Sequence, residues 1–195
     1  MHALIVVAHP DTQSFTHNVA ARVAKGVTDA GSGNTVEIAD LFAENFDPRF
    51  AAPDLAFFRN QSAPLAEIVA EQQRIDRADA LVLVYPIYWW SFPGMLKGWI
   101  DRVFTNGWAY DSAEDGGLIK MLPNLNVHLI GIGAADEGTY SRRGYDEAMR
   151  TQIDRGIFDF VGAKVVTSEL LLTPNGQFPE SHLEIALKIG NKIAG

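Results

Sequence analysis

Short, continuously apolar stretches alternate along the chain with longer stretches in which apolar residues recur every three or four positions. Leu4 to Ala8, Ala80 to Tyr85 and Val127 to Ile132 are of the first kind, as expected of parallel strands covered on both faces. Thr35 to Ala39 and Lys164 to Leu172 read as two further strands. Val19, Val23 and Val27 recur at helical spacing up to Gly31, a residue suited to a helix C-cap. Pro64 opens a second helix carrying Leu65, Ile68, Val69 and Ile75. Gly94 to Phe104 is helical in pattern, with Lys97 and Asp101 as an i,i+4 pair. Tyr145 to Val161 is helical up to Gly162, and Ser181 with Glu184 has the capping-box spacing for a last helix ending at Ala194. Residues 41–62 are irregular and aromatic-rich, either a lid-like loop or an excursion that covers a sheet edge.

Strands and helices alternate without a linker or repeat, which predicts one α/β domain over residues 1–195. The natural solution is a flavodoxin-like three-layer sandwich. Its five-stranded parallel sheet has the order 2-1-3-4-5, with right-handed crossovers. Ligands in such sheets bind outside the carboxyl ends of the strands, beside the first one. Loops 9–16, 86–93 and 132–140 should therefore converge.

Composition narrows the chemistry. Of 195 residues 47% are apolar, enough for a real core, and there is no Cys, which excludes disulfides, thiol nucleophiles and Cys-ligated metal clusters. The His residues show no metal-binding spacing, so no metal is expected. With 16 basic and 24 acidic residues the net charge is −8, which argues against nucleic acid as a partner. A phosphate-bearing cofactor would have to be held by local N–H groups and hydroxyls. The N-terminal stretch lacks the basic region of a signal peptide, and the uncharged run from Ala80 to Leu96 is broken by Pro86, Pro93 and Gly94. A cytoplasmic protein is expected.

Each loop has its own potential. The first lacks G-x-G-x-x-G and Walker-A spacing but offers His9, Ser14 and Thr16 at a helix start, where N–H groups and hydroxyls can hold a phosphate. Ser and Thr there are equally explained as helix caps. The second, Pro86-Ile87-Tyr88-Trp89-Trp90-Ser91-Phe92-Pro93, sets four aromatics just past a buried strand, where a planar conjugated ligand can stack. In the third, Gly133, Ala134 and Ala135 let a ligand approach backbone N–H groups, and Tyr140 offers a phenol. A phosphate at one end and a flat ring at the other describe a flavin, which carries its own redox chemistry.

The residues resemble a known family at this point. Ala3 to Pro10 followed by Ser14-Phe15-Thr16, then Asp40 to Pro48, Pro86 to Trp90, Leu96 to Phe104 with Gly107-Trp108-Ala109-Tyr110, and Gly156 to Gly162 resemble the NAD(P)H:quinone oxidoreductase (DT-diaphorase-like) family in motif order. The resemblance implies a two-electron NAD(P)H oxidoreductase of quinones or similar acceptors, with FAD as cofactor and FMN as the alternative. It places His9, Ser14, Phe15 and Thr16 at the flavin phosphate region. It places Pro86, Ile87, Tyr88, Trp89 and Trp90 on the loop that binds the ring. Ile132 to Ala135 stands where the family has Thr-Thr-Gly-Gly, Tyr140 on a Tyr proposed to assist hydride transfer, and Asp146 where the mammalian members carry a catalytic His. The resemblance further implies a homodimer whose partner subunit completes the site. Trp99, Phe104, Trp108 and Tyr110 form an aromatic stripe beside the cleft and are candidate contacts, with ordinary core as an equal alternative for Trp99. Two other readings share these motifs: a regulatory flavoprotein subunit docked on a potassium-efflux transporter in the membrane, and a flavodoxin-like electron carrier.

Overall fold

The computed structural model of the chain describes residues 1–172 and 178–195. Five parallel strands form the central sheet: β1 (His2–Val7), β2 (Thr35–Asp40), β3 (Ala80–Pro86), β6 (Asn126–Ile132) and β7 (Lys164–Leu171), in the order β2-β1-β3-β6-β7. Counting sheet strands alone, this is the 2-1-3-4-5 order expected from the sequence. The apolar runs divide by the two-residue period of a strand. Leu4, Val6, Leu81, Leu83, Tyr85, Val127 and Leu129 face one layer, and Ile5, Val7, Val82, Val84 and Ile130 face the other. That is why these strands read as unbroken apolar runs.

The second layer is built by α1 (Phe15–Asp29) and α7 (Glu180–Ala194). They approach so closely that a Cβ on Gly26 or Gly190 would run into the backbone of the other helix. The first layer holds α3 (Ala66–Asp76), α4 (Gly94–Val103), α6 (Tyr145–Met149) and a π-helix (Arg150–Asp159). Trp99 of α4 is fully buried there and donates its indole N–H to Glu71 at 2.8 Å. Of the two alternatives for Trp99, dimer contact and core, the structure makes it a core residue.

Other expectations need correction. The excursion 41–62 contains a helix, α2 (Ala52–Phe58), with Pro53 in its first turn and Asp54 accepting the Ala51 N–H at 2.8 Å. A short antiparallel hairpin, β4 (Tyr110–Ser112) with β5 (Leu118–Lys120), was not anticipated, although Asp115-Gly116 marks its turn. The loop after β6 runs into α5 (Glu137–Arg143), capped by Asp136, whose carboxylate accepts the Thr139 N–H at 2.7 Å. The long helix expected from Tyr145 is short, and its continuation is wound as the π-helix. The third helix starts at Ala66, with Leu65 and not Pro64 before it, and α7 starts at Glu180 behind Pro179, which leaves Ser181 inside the helix and not at its cap. Among the described residues, no helix is long and apolar enough to cross a membrane.

The excursion is fastened by buried charge. Arg102 of α4, only 5% exposed, donates to Asp54 at 2.8 Å, to Glu67 at 2.7 Å and to the Asp47 carbonyl at 2.7 Å, with its guanidinium over the Phe46 ring. Arg74 reaches Glu44 at 2.7 Å, and also Glu37 and Glu71 at 2.8 Å each. These bonds satisfy charges that would otherwise be costly to bury.

Candidate active site

The carboxyl ends of β1, β3 and β6 lie side by side in the sheet, so the three loops expected to converge open at one end of the molecule. The first is a compact hydrogen-bonded turn. Ser14 caps α1, its hydroxyl oxygen accepting the His17 N–H at 3.3 Å, while its Oγ lies 2.9 Å from His17 Nδ1. His17 Nε2 in turn lies 2.9 Å from the carboxylate of Asp40, at the end of β2. Burial alone would raise the Asp40 carboxyl, but hydrogen bonds from His17, Ala43 and Phe42 hold it below the usual carboxylate range. Asp11, an acidic residue in a loop expected to hold an anion, turns its carboxylate onto the Gln13 N–H at 2.9 Å and gives its own N–H to His9 Nδ1 at 3.0 Å. It shapes the turn. Thr16 is 3% exposed and packs inward. Phe15 meets Phe178 and His182 at ring separations of 5.0 and 6.1 Å. His182 Nδ1 is buried and has no partner among the described residues.

The second loop is the most unusual. Tyr88 and Ser91 exchange backbone hydrogen bonds of 3.2 and 3.1 Å, closing a two-residue turn around Trp89 and Trp90. Both Trp residues have positive φ, 52° and 55°. Such a turn ordinarily takes Asn-Gly, and a bulky residue there costs about 1–2 kcal/mol. The strain holds Trp89 out in solvent at 88% exposure, while Trp90 stacks on Tyr145 at 3.8 Å between ring centroids. Strain kept at the end of a central strand is a mark of function.

The third loop lies against the second, with the Ile87 N–H donating to the Ile132 carbonyl at 2.8 Å. Gly133 was expected to offer its N–H to a ligand, but that group donates to the Leu171 carbonyl at 3.0 Å and extends the β6–β7 pairing. Gly133 contributes its lack of a side chain instead. A Cβ there would collide with the Tyr140 hydroxyl and Leu172, and one on Gly131 would press on Ile87 and the Tyr85 hydroxyl. Two phenols thus lie over alternate glycines at the end of β6. Tyr140 is 3% exposed, and burial pushes its phenol above the ordinary range. It borders a polar cleft of about 770 Å³ that also takes in Asp136, Asp146, Arg150, Glu169 and His182.

The comparisons with known proteins agree with this architecture. A family description for the flavodoxin-like fold matches residues 1–188. An uncharacterized NAD(P)H oxidoreductase of Haemophilus influenzae is 32% identical over 87% of this chain and 83% of its own length. NAD(P)H dehydrogenase [quinone] 1 of Cavia porcellus is 30% identical over 94% of this chain and 72% of its own. The structure titled NAD(P)H:quinone oxidoreductase from Methanothermobacter marburgensis superposes with a TM-score of 0.84 at 31% identity, covering 100% of this chain and 97% of that one. The chain belongs to the NAD(P)H:quinone oxidoreductase family. It is an NAD(P)H-dependent oxidoreductase of the quinone dehydrogenase type. Against that family, the sequence-derived residues His9, Ser14, Tyr88, Trp89, Trp90 and Tyr140 all stand at one end of the sheet. The structure also brings His17, Asp40 and Tyr145 into contact with these residues, and the sequence did not single them out as site residues. The signal for Asp40 was its position at a strand's carboxyl end, and Tyr145 was read only as a helix start.

A second concavity lies outside the three loops. It is an apolar groove of about 290 Å³ lined by Phe57, Phe58, Leu65, Phe104, Tyr110 and Phe160 among others. Phe58 and Phe160 are exposed on it.

Proposed function

We propose that this chain is a flavin-dependent oxidoreductase that takes two electrons from NAD(P)H and delivers them to a quinone or a similarly flat acceptor. The observation that carries the reading is the Trp89–Trp90 turn, which stores strain to hold one indole in solvent at the carboxyl end of β3. A flat conjugated ring stacked there would recover that cost. The other donors fit the rest of a flavin. The start of α1, with Ser14 and His9 beside it, offers N–H groups and polar side chains to a phosphate, and the only carboxylate in that turn is engaged with its own loop. The Phe15–Phe178–His182 cluster beside them, with a buried ring nitrogen that has no partner among the described residues, supports a cofactor that extends past the phosphate, hence FAD, with FMN as the alternative.

A flavin held there would supply the two-electron redox chemistry between NAD(P)H and the acceptor. The protein's part is to bind and orient. Pro86, Ile87, Tyr88, Trp89 and Trp90 frame the ring, and Gly133 with Ala134 and Ala135 keeps the opposite loop flat. Tyr140 donates its phenol hydrogen bond to the oxygen that gains charge, and the raised phenol keeps that proton at neutral pH. Asp146 lies on the cleft wall and places a carboxyl where the resemblance implies a catalytic His. The apolar groove with exposed Phe58 and Phe160 suits a homodimer, with Phe104, Trp108 and Tyr110 near the contact.

Donor and acceptor would use one site in turn. Steady-state kinetics with NADH and a soluble quinone should give parallel double-reciprocal lines. Intersecting lines would contradict a shared site.

A further inference from the structure

The first loop holds a hydrogen-bonded line, Ser14–His17–Asp40, that the reading above does not use. Asp40 is an acceptor only, so His17 Nε2, 2.9 Å away, carries a proton. In the neutral imidazole Nδ1 is then an acceptor, and the Ser14 hydroxyl at 2.9 Å donates to it. In that form the single hydroxyl proton of Ser14 is engaged by His17 and is not offered to a phosphate at the start of α1. When His17 gains a second proton, Nδ1–H donates to Ser14 Oγ, and the hydroxyl proton is released to point outward. We propose that His17 and Asp40 are positioning residues that gate the Ser14 hydroxyl, so that this loop holds a phosphate ester more tightly when His17 is protonated.

The inference rests on the proposed flavin phosphate at this loop. The titratable groups facing His17 are Asp40 from β2 and His9 from the loop after β1, whose ring stands edge-on at 6.3 Å between centroids. The Asp11 carboxylate in that same loop is engaged with the Gln13 N–H. Asp40 stays ionised across the imidazole range because its hydrogen bonds favour the charged form.

The test is a fluorescence titration of the flavin-free full chain with FAD and with riboflavin, between about pH 8 and about pH 5.5. The pyrophosphate of FAD keeps its charge throughout, and riboflavin has no phosphate. FAD should bind about tenfold more tightly at the lower pH, as one released charge-assisted bond implies, while riboflavin changes by less than about twofold. His17→Gln should abolish the FAD step. Ser14→Gly, which retains a competent helix start, should abolish it too. Nitrogen-15 spectra should show neutral His17 as the Nε2–H tautomer. Equal pH dependence of FAD and riboflavin, a step retained in His17→Gln, or the Nδ1–H tautomer would each overturn the gate while leaving the flavin reading intact. Failure of every flavin to bind would overturn both.

Discussion

Two aromatic-rich loops flank the sheet, and they are held in opposite ways. The excursion 41–62 is fastened by Arg102, buried between Asp54, Glu67 and the Asp47 carbonyl, with Phe46 under its guanidinium. The loop 86–93 has no such anchor for Trp89, which is held in solvent by a strained turn. One loop uses charge to stabilise the fold. The other departs from a stable geometry to keep an apolar surface available. The contrast shows that aromatic content alone does not distinguish a covering segment from a binding one; the sign of the local free energy does.

The comparison can be broken at either loop. The largest effect is expected from Arg102→Ala, which leaves the buried Asp54 carboxylate unpaired. It should lower unfolding stability by about 3–5 kcal/mol in denaturant titrations. A loss below about 1 kcal/mol would mean that the excursion is not fastened as described. The change Trp89→Asn should act in the other direction. It puts a residue that tolerates the left-handed backbone at the exposed position, keeps the Trp90–Tyr145 stack, and should raise stability by about 1 kcal/mol while weakening flavin binding about tenfold. Lower stability with unchanged binding would contradict the stored-strain reading. Tyr140→Phe should leave stability nearly unchanged and reduce turnover roughly fivefold, the worth of one ordinary hydrogen bond. An unchanged rate would remove Tyr140 from the mechanism.

The smallest effect is a pH slope. Asp40 opens the excursion, and its carboxyl is depressed in the folded chain. A depressed carboxyl contributes stability that is complete above its unfolded value and lost as pH falls through the folded one. Asp40→Asn should therefore flatten the loss of stability on acidification below about pH 4. Thermal unfolding across that range would show it, and a slope equal to that of the wild type would contradict it.

Much of this was legible in the sequence, for identifiable reasons. Leu4 to Ala8 and Ala80 to Tyr85 could be read as central strands because both of their faces are covered. The order of elements then placed the three loops at one end of the sheet. Trp89 and Trp90 could be placed at a strand's carboxyl end from the sequence, but their left-handed backbone could not, since turn rules look for Asn and Gly there. The donor role assigned to Gly133 failed because pairing to β7 extends a residue past β6, which apolar patterning does not report. The Ser14–His17–Asp40 line joins a helix start to the end of a different strand, and no local spacing encodes that contact.

The central claim is that the redox chemistry of this Cys-free chain belongs to a bound flavin. The most direct test is the visible absorption spectrum of the purified protein, followed by mass analysis of what denaturation releases. The account predicts a yellow protein that releases FAD or FMN, or a colourless one that takes up either on addition. A protein that is colourless and binds neither would contradict it.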